Sequence, residues 1–337
     1  MKRAAARATA HTTARLGRSV ARTLVARVRG RSLHREWGLL LESAVRALRD
    51  NDTLHGADIA ASRAGMEKLT LPSLVAHKLW RHPGSVGGVS GLWLRPKATP
   101  PRGTLVWLHG GAYVMGSSKT HADLAGRAAL AAGCDAFVPD YRLAPEHPAP
   151  AAIEDAVAVV RGLYERGLDP KLLVLVGDSA GGGLTLATLV ALRDAGLPQP
   201  AAAALLSPWV DLEDRSGSAL DNARYDWIAP EGDLASLYAG GRDLRDPQLS
   251  PIHADLRGLA PLFVEVGTAE LLLDQVRRLA DALRAADADV FFREWPHMVH
   301  VGYVFAPFLL EARTRLDDVG AFLAEHLDAT AAPGAPR

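Results

Sequence analysis

A serine, a carboxylate and a histidine occur in that order along the chain, each directly after an apolar run. Gly177-Asp178-Ser179-Ala180-Gly181 follows "LLVLV", Glu270 follows "LFVEV", and His297 and His300 follow "DVFFREW". A serine hydroxyl is a weak nucleophile; it needs a base to take its proton, and the base needs a carboxylate to orient it. Together the three groups could carry out acyl transfer. The pattern G-x-S-x-G between a strand and a helix is the setting in which a sharp turn lifts a serine Oγ above the sheet edge, with the acid and then the histidine downstream. The same glycines are also compatible with a phosphate loop or a plain tight turn.

Acyl transfer also needs donors for the oxygen that gains charge. "HGGAYVMGS" at 109–117 follows the run "TLVWL", and its glycines permit close backbone approach. The amides of Gly110, Gly111, Ala112 and Ala180 are the candidate donors. His109-Gly110-Gly111 is otherwise a common turn.

These groups need a frame. From about residue 104 short apolar runs alternate with helix-like segments at 120–132, 151–166, 181–195, 271–286 and about 308–327. Strands that are apolar throughout and alternate with helices specify a mainly parallel sheet covered on both faces. Two regions break the alternation: a helical stretch over 1–75 and a polar insertion at about 213–245. The expected organisation is therefore a basic leader with cap helices over 1–80, a core over 81–330 carrying the cap insertion, and a disordered tail over 331–337.

Formal net charge is zero, which argues against attraction of the whole protein to nucleic acid. Residues 1–35 contain no acid and many arginines. Leu16, Val20, Leu24 and Val28 fall at four-residue spacing there, an amphipathic basic helix that either packs its stripe on the protein or touches an anionic membrane surface. No stretch is apolar and long enough to span a bilayer. The single cysteine, Cys134, excludes an intrachain disulfide and a thiolate zinc site, and fits a reducing, cytoplasmic setting. No H-E-x-x-H, Walker or G-x-G-x-x-G pattern is present, so no metal and no cofactor is expected. The sequence leaves monomer and homodimer both open.

Several stretches resemble the hormone-sensitive lipase family of α/β-hydrolases, the group that holds many bacterial esterases. "HGGAYVMGS" is similar to the family's His-Gly-Gly-Gly loop, "GDSAGG" to its elbow and "WPHMVH" to its histidine loop. "DYRLAPEHPAPAAIED" at 140–155 is the most specific match, and "SPWVDL" and "SPIHADLRGLAPLFVEVG" agree as well. The resemblance covers about residue 86 to the last helix. It implies an α/β-hydrolase fold with a helical cap, Ser179 as nucleophile, His300 as base and Glu270 as acid. Asp274 is the fallback acid and His297 a decoy base. Ala112 stands where the family has a third glycine. The resemblance assigns Asp178 to support of the elbow, and Arg142, Glu146 and His147 to bracing of the loops. Tyr113, Trp209 and the residues from Tyr225 to Ile228 are expected to line the pocket, with Asp178 beside them, although each aromatic fits a core-packing role equally well.

The expected activity is hydrolysis of short- to medium-chain carboxylic esters through an acyl-enzyme, falling as His300 is protonated between about pH 6 and 7. A lactone or an N-acetyl amide would fit the same three residues. A small-molecule receptor on this fold would lack the histidine, which this chain retains.

Overall fold

The computed structural model describes residues 17–50, 58–69, 73–98, 100–215, 217–228 and 233–329. In chain order the strands are β1 (Leu79–Val86), β2 (Val89–Pro96), β3 (Thr104–Leu108), β4 (Asp135–Pro139), β5 (Leu173–Asp178), β6 (Ala202–Leu206), β7 (Leu262–Gly267) and β8 (Val290–Trp295). They form one sheet in the order β1-β2-β4-β3-β5-β6-β7-β8. Strand β2 is antiparallel to β1 and β4, and the remaining pairs are parallel. Every residue of β3 to β7 is buried, as expected for runs that are apolar on both faces.

The first two strands lie upstream of residue 104, where the apolar alternation begins. Strand β1 reads "LWRHPGSV", with exposed residues along most of its length. It is an edge strand, where Pro83 is tolerated and no apolar face is needed, so it leaves no strand signal.

The helices are α1 (17–28), α2 (Leu39–Arg49), α3 (Ile59–Leu69), α4 (Ala122–Ala132), α5 (Ala151–Glu165), α6 (Ala180–Asp194), α7 (Ser218–Asp221), α8 (Leu234–Ala239), α9 (Leu273–Ala285) and α10 (Leu310–Ala329). One apolar layer joins α5, α6 and α9 to the sheet through Val159, Leu163, Leu184, Leu189, Val276 and Leu279. The other joins α2, α4 and α10 through Val45, Leu124, Ala128, Leu316, Val319 and Leu323. The sheet thus separates two cores. The polar insertion holds α7 and α8; its residues 229–232 lie outside the described residues, as do residues 1–16 and the tail from 330 on.

Helix α1 does not pack through its apolar stripe. Leu16 lies outside the described residues, Val20 is half-buried, and Leu24 and Val28 are 47% and 88% exposed. Ser19 and Thr23 face inward instead, with Ser19 Oγ donating to the Ser43 carbonyl at 2.7 Å. The reason is the partner surface. Helix α2 presents the buried Glu42, which accepts from Arg27 at 2.7 Å, from Arg46 at 2.8 Å and from the Leu33 amide at 3.0 Å. A buried carboxylate needs such donors, and Arg27 reaches it only with this face of α1 turned inward. Glu42→Ala is expected to lower stability by about 2–3 kcal/mol in chemical denaturation, the range for losing hydrogen bonds to a charged group.

Candidate active site

Ser179 sits between β5 and α6 with φ 56° and ψ −125°. Such a conformation costs a residue with a Cβ about 1–3 kcal/mol and persists only where the surroundings enforce it. Four hydrogen bonds do so. Its amide donates to the Leu206 carbonyl at 2.9 Å, and its carbonyl accepts from Gly182, Gly183 and Trp209 at 2.9, 3.1 and 2.9 Å. The flanking glycines are a matter of space. A Cβ on Gly177 would stand 2.1 Å from the Gly181 carbonyl oxygen, and one on Gly181 would stand 2.0 Å from that of Leu108.

Glu270 and His300 meet below the serine loop, with side chains almost fully buried. Glu270 Oε2 lies 3.0 Å from His300 Nδ1. Its Oε1 accepts from Ser207 Oγ at 2.6 Å and from the Gly267 amide. Ser207 Oγ in turn accepts from the Val301 amide at 3.1 Å, tying the histidine loop to the acid. Burial opposes protonation of His300, but the hydrogen bond and charge of Glu270, with the charges of Asp226 and Asp178, outweigh it and raise its pKa above 6.5. Ser179 and His300 border the same cavity, and Ser179 Oγ and His300 Nε2 have no hydrogen-bond partner among the described residues. Bonds of this kind are often long until a ligand tightens them.

The alternatives are placed elsewhere. Asp274 Oδ2 accepts from the Ser218 amide at 2.8 Å and Oδ1 lies 3.5 Å from Arg277, so it anchors α7 rather than reaching His300. The His297 side chain is exposed and lies 5.1 Å from His34. Its amide donates to Thr268 Oγ1 at 2.7 Å and its carbonyl accepts from Trp37 Nε1.

The 109–117 loop corrects two expectations. The Gly110 amide donates to Asp178 Oδ1 at 3.2 Å and is therefore spent. The amides of Gly111, Ala112 and Ala180 have no acceptor among the described residues, and all but Ala180 belong to residues that line the cavity. Ala112 takes φ 54°, the left-handed region that a third glycine would occupy without strain. Tyr113 does not line the cavity. Its ring is buried against Tyr238, with centroids 3.7 Å apart and planes 5° from parallel, so it packs the core beneath the loop. Asp178 borders the cavity, but its oxygens are engaged by Trp107 Nε1 at 2.9 Å, the Gly110 amide and His121 Nε2 at 3.3 Å. It is a brace between β3, β5 and the loop. Glu146 pairs with Arg63 of α3 at 2.7 Å, and Arg63 also donates to the Val114 and Ala144 carbonyls at 2.7 and 2.9 Å. Arg142 turns to Asp155 and Glu154 instead. The His147 amide donates to the Leu143 carbonyl at 2.9 Å.

The cavity has a volume of about 260 Å³. Trp209, Trp227, Ile228, Leu220 and Leu234 give it apolar walls, and Met66 adds one from α3. Tyr225 stands outside it, in a cluster with His34 and Trp37. The insertion does more than cover the site. Asp226 Oδ1 accepts from the His300 amide at 3.0 Å and Oδ2 from the Leu271 amide at 2.9 Å, bridging the two loops that carry the histidine and the acid. Trp227 Nε1 donates to the His300 carbonyl at 2.7 Å, and Asn222 Nδ2 donates to that of Glu270 at 2.8 Å. Arg49 of α2 holds this clamp through the Asp226 carbonyl at 2.8 Å. No local motif marks these three residues, because their partners are 45 or more positions away. Burial pushes the Asp226 carboxyl up to about 7; the nearby His300 lowers it and the Glu270 charge adds to the rise.

Among the described residues no group of three or more His, Cys, Asp or Glu side chains converges as metal ligands would.

Two measurements follow from this geometry. Glu270→Gln is expected to lower kcat/KM on the order of 10³- to 10⁴-fold, as loss of the orienting acid does in such sites, whereas Asp274→Asn leaves it within a few-fold. If His300 must be neutral to act as base, its raised pKa places the acid limb of the kcat/KM profile above pH 6.5. Above about pH 7 the ionised Asp226 favours the imidazolium, so Asp226→Asn is expected to move a limb in that range to lower pH; an unmoved limb there would contradict the placement.

A model of the α/β hydrolase fold family matches residues 105–304. An acetyl-hydrolase of Streptomyces hygroscopicus is 44% identical over 71% of this chain and 81% of its own length. The putative acetyl-hydrolase LipR of Mycobacterium tuberculosis is 38% identical over 72% and 80%. Among solved structures, EstE5 superposes with a TM-score of 0.82 at 38% identity, covering 87% of this chain and all of that one. An esterase from the bacterial hormone-sensitive lipase family gives 0.81 at 38% identity, over 85% and 98%. The chain belongs to the α/β-hydrolase-fold family, in its bacterial hormone-sensitive lipase group, and is a hydrolase of carboxylic esters.

Proposed function

We propose that Ser179, Glu270 and His300 form the catalytic triad of a carboxylesterase acting on short- to medium-chain acyl groups. His300 Nε2 takes the proton from Ser179 Oγ as that oxygen attacks the ester carbonyl. The amides of Gly111, Ala112 and Ala180 stabilise the resulting oxyanion. His300 then protonates the departing alcohol, and water repeats the sequence on the acyl-enzyme. The observation that carries this reading is the convergence on one cavity of Ser179, the His300–Glu270 pair and the unpaired amides of the 109–117 loop. A cavity of about 260 Å³ walled by Trp209 and Trp227 supports a small acyl group, as do the acetyl-hydrolase names of two relatives. The N-terminal helices and the insertion act as its cap, since Met66 and residues between 214 and 235 border it.

The test is hydrolysis of p-nitrophenyl esters from acetate to long chain. The expected result is a maximum at short chains that Ser179→Ala abolishes; full activity in the variant would refute the assignment.

The exposed face of α1 supports a second property, peripheral contact with an anionic membrane. Leu24, Val25 and Val28 are each close to half exposed or more, beside the exposed Arg18, Arg22 and Arg29. Among the described residues no helix is long and apolar enough to cross a membrane. Cosedimentation with phosphatidylserine vesicles is expected for the wild type and is weakened in Leu24→Ser/Val28→Ser; equal sedimentation of the two would remove the reading. The lone buried Cys134 supports a reducing, cytoplasmic setting.

A further inference from the structure

Gln275 borders the cavity from the first turn of α9, yet its side chain is 1% exposed. Its Oε1 accepts two main-chain hydrogen bonds, from the Val210 amide at 2.9 Å and the Asp211 amide at 3.0 Å. Both partners are donors, so this end of the side-chain amide must be the oxygen, and the orientation is fixed. The other end is then an NH₂ group with two donors. Among the described residues it has no acceptor, and nothing on the protein turns to meet it.

The other polar groups on this cavity have partners or an assigned role. Asp178 and His121 face each other, and Ser179 and His300 carry the proposed reaction. Asp214 also borders the cavity, its Oδ2 3.6 Å from Arg278, and the aromatic and aliphatic walls offer no acceptor. Such a donor at a cavity face costs about 1–3 kcal/mol when a bound molecule strips its water and offers no acceptor. An apolar residue would avoid that cost at the cavity face. The main-chain bonds of Oε1 explain the acceptor half of Gln275, but leave its donor half unexplained.

We propose that Gln275 Nε2 is a specificity-determining donor for a second oxygen of the substrate. The favoured ester carries an ether, hydroxyl or further carbonyl oxygen in its acyl or alcohol part, separate from the scissile carbonyl. This deepens the carboxylesterase reading and rests on it. A site built to hydrogen-bond such an oxygen discriminates against the analogue that lacks it, because its own polar group is then left unpaired.

The test compares isosteric pairs that differ by one oxygen for one methylene. On the acyl side these are p-nitrophenyl 3-methoxypropionate against pentanoate and 4-methoxybutyrate against hexanoate; on the alcohol side, 3-methoxypropyl acetate against pentyl acetate. The readout is the ratio of kcat/KM within each pair, in wild type, Gln275→Glu and Gln275→Met at pH 8. Glutamate keeps the acceptor for Val210 and Asp211 while turning the cavity face into an acceptor; methionine removes both halves. Taking a ratio cancels any common loss from damage to the site. The expected result is a ratio about tenfold higher in wild type for at least one pair. A fall of threefold or more in either variant supports the assignment, and a smaller change in both, for every pair, overturns it. Failure of the esterase reading is separate: it would appear as hydrolysis of the hydrocarbon esters that survives Ser179→Ala.

Discussion

The backbone at Ser179 is held where a residue with a Cβ does not come to rest by itself, and the site is built around that constraint. The turn closes only because Gly177 and Gly181 let β5 and α6 pass at backbone distance. It stays closed because Leu206 and Trp209, at the end of β6 and just beyond it, bond the serine main chain on both sides. The strain therefore needs β5 and β6 in register, with Gly177 opposite Leu205 and Asp178 opposite Leu206. Two cores, one on each face of the sheet, keep that register.

The second demand is electrostatic. Glu270 is nearly out of water and must have its oxygens satisfied by the protein. Ser207, Gly267 and His300 do this, from just after β6, from the end of β7 and from the loop after β8. The insertion closes the arrangement from above. Asp226 spans the acid and histidine loops, Asn222 and Trp227 hold their carbonyls, and Arg49 ties the clamp back to α2. The insertion is thus bonded to the loops that carry Glu270 and His300 as well as bordering the cavity. A shift of the insertion would move His300 and Glu270 with it.

Much of this was legible in the chain. Runs such as "LLVLV" and "LFVEV" are apolar on both faces and could only be central strands. The elbow pattern, the glycines of the 109–117 loop, and Glu270 and His300 after their strands carried local signals. What stayed hidden depends on distant partners. Strand β1 lies at the sheet edge, where Pro83 and charged residues are tolerated, and β2, between β1 and β4, mixes buried with exposed residues, so a search for fully apolar runs did not report them. That the Gly110 amide is spent on Asp178 could not be read from a loop sequence, because the acceptor is 68 positions away. For Tyr113 the sequence leaves pocket and core both open; the partner that draws it into the core, Tyr238, comes from the insertion. The stripe on α1 had the spacing of a packed helix, but the buried Glu42 opposite it selected the face carrying Arg27.

The most direct measurement is covalent labelling of the nucleophile, followed by peptide mass spectrometry. Treated with phenylmethylsulfonyl fluoride, the wild-type protein should gain one sulfonyl group on the peptide containing Ser179, lose ester hydrolysis in step with labelling, and remain unlabelled there in Glu270→Gln over the same time. Modification at another residue, or full inactivation with Ser179 unlabelled, would contradict the assignment of this serine and its acid–histidine pair.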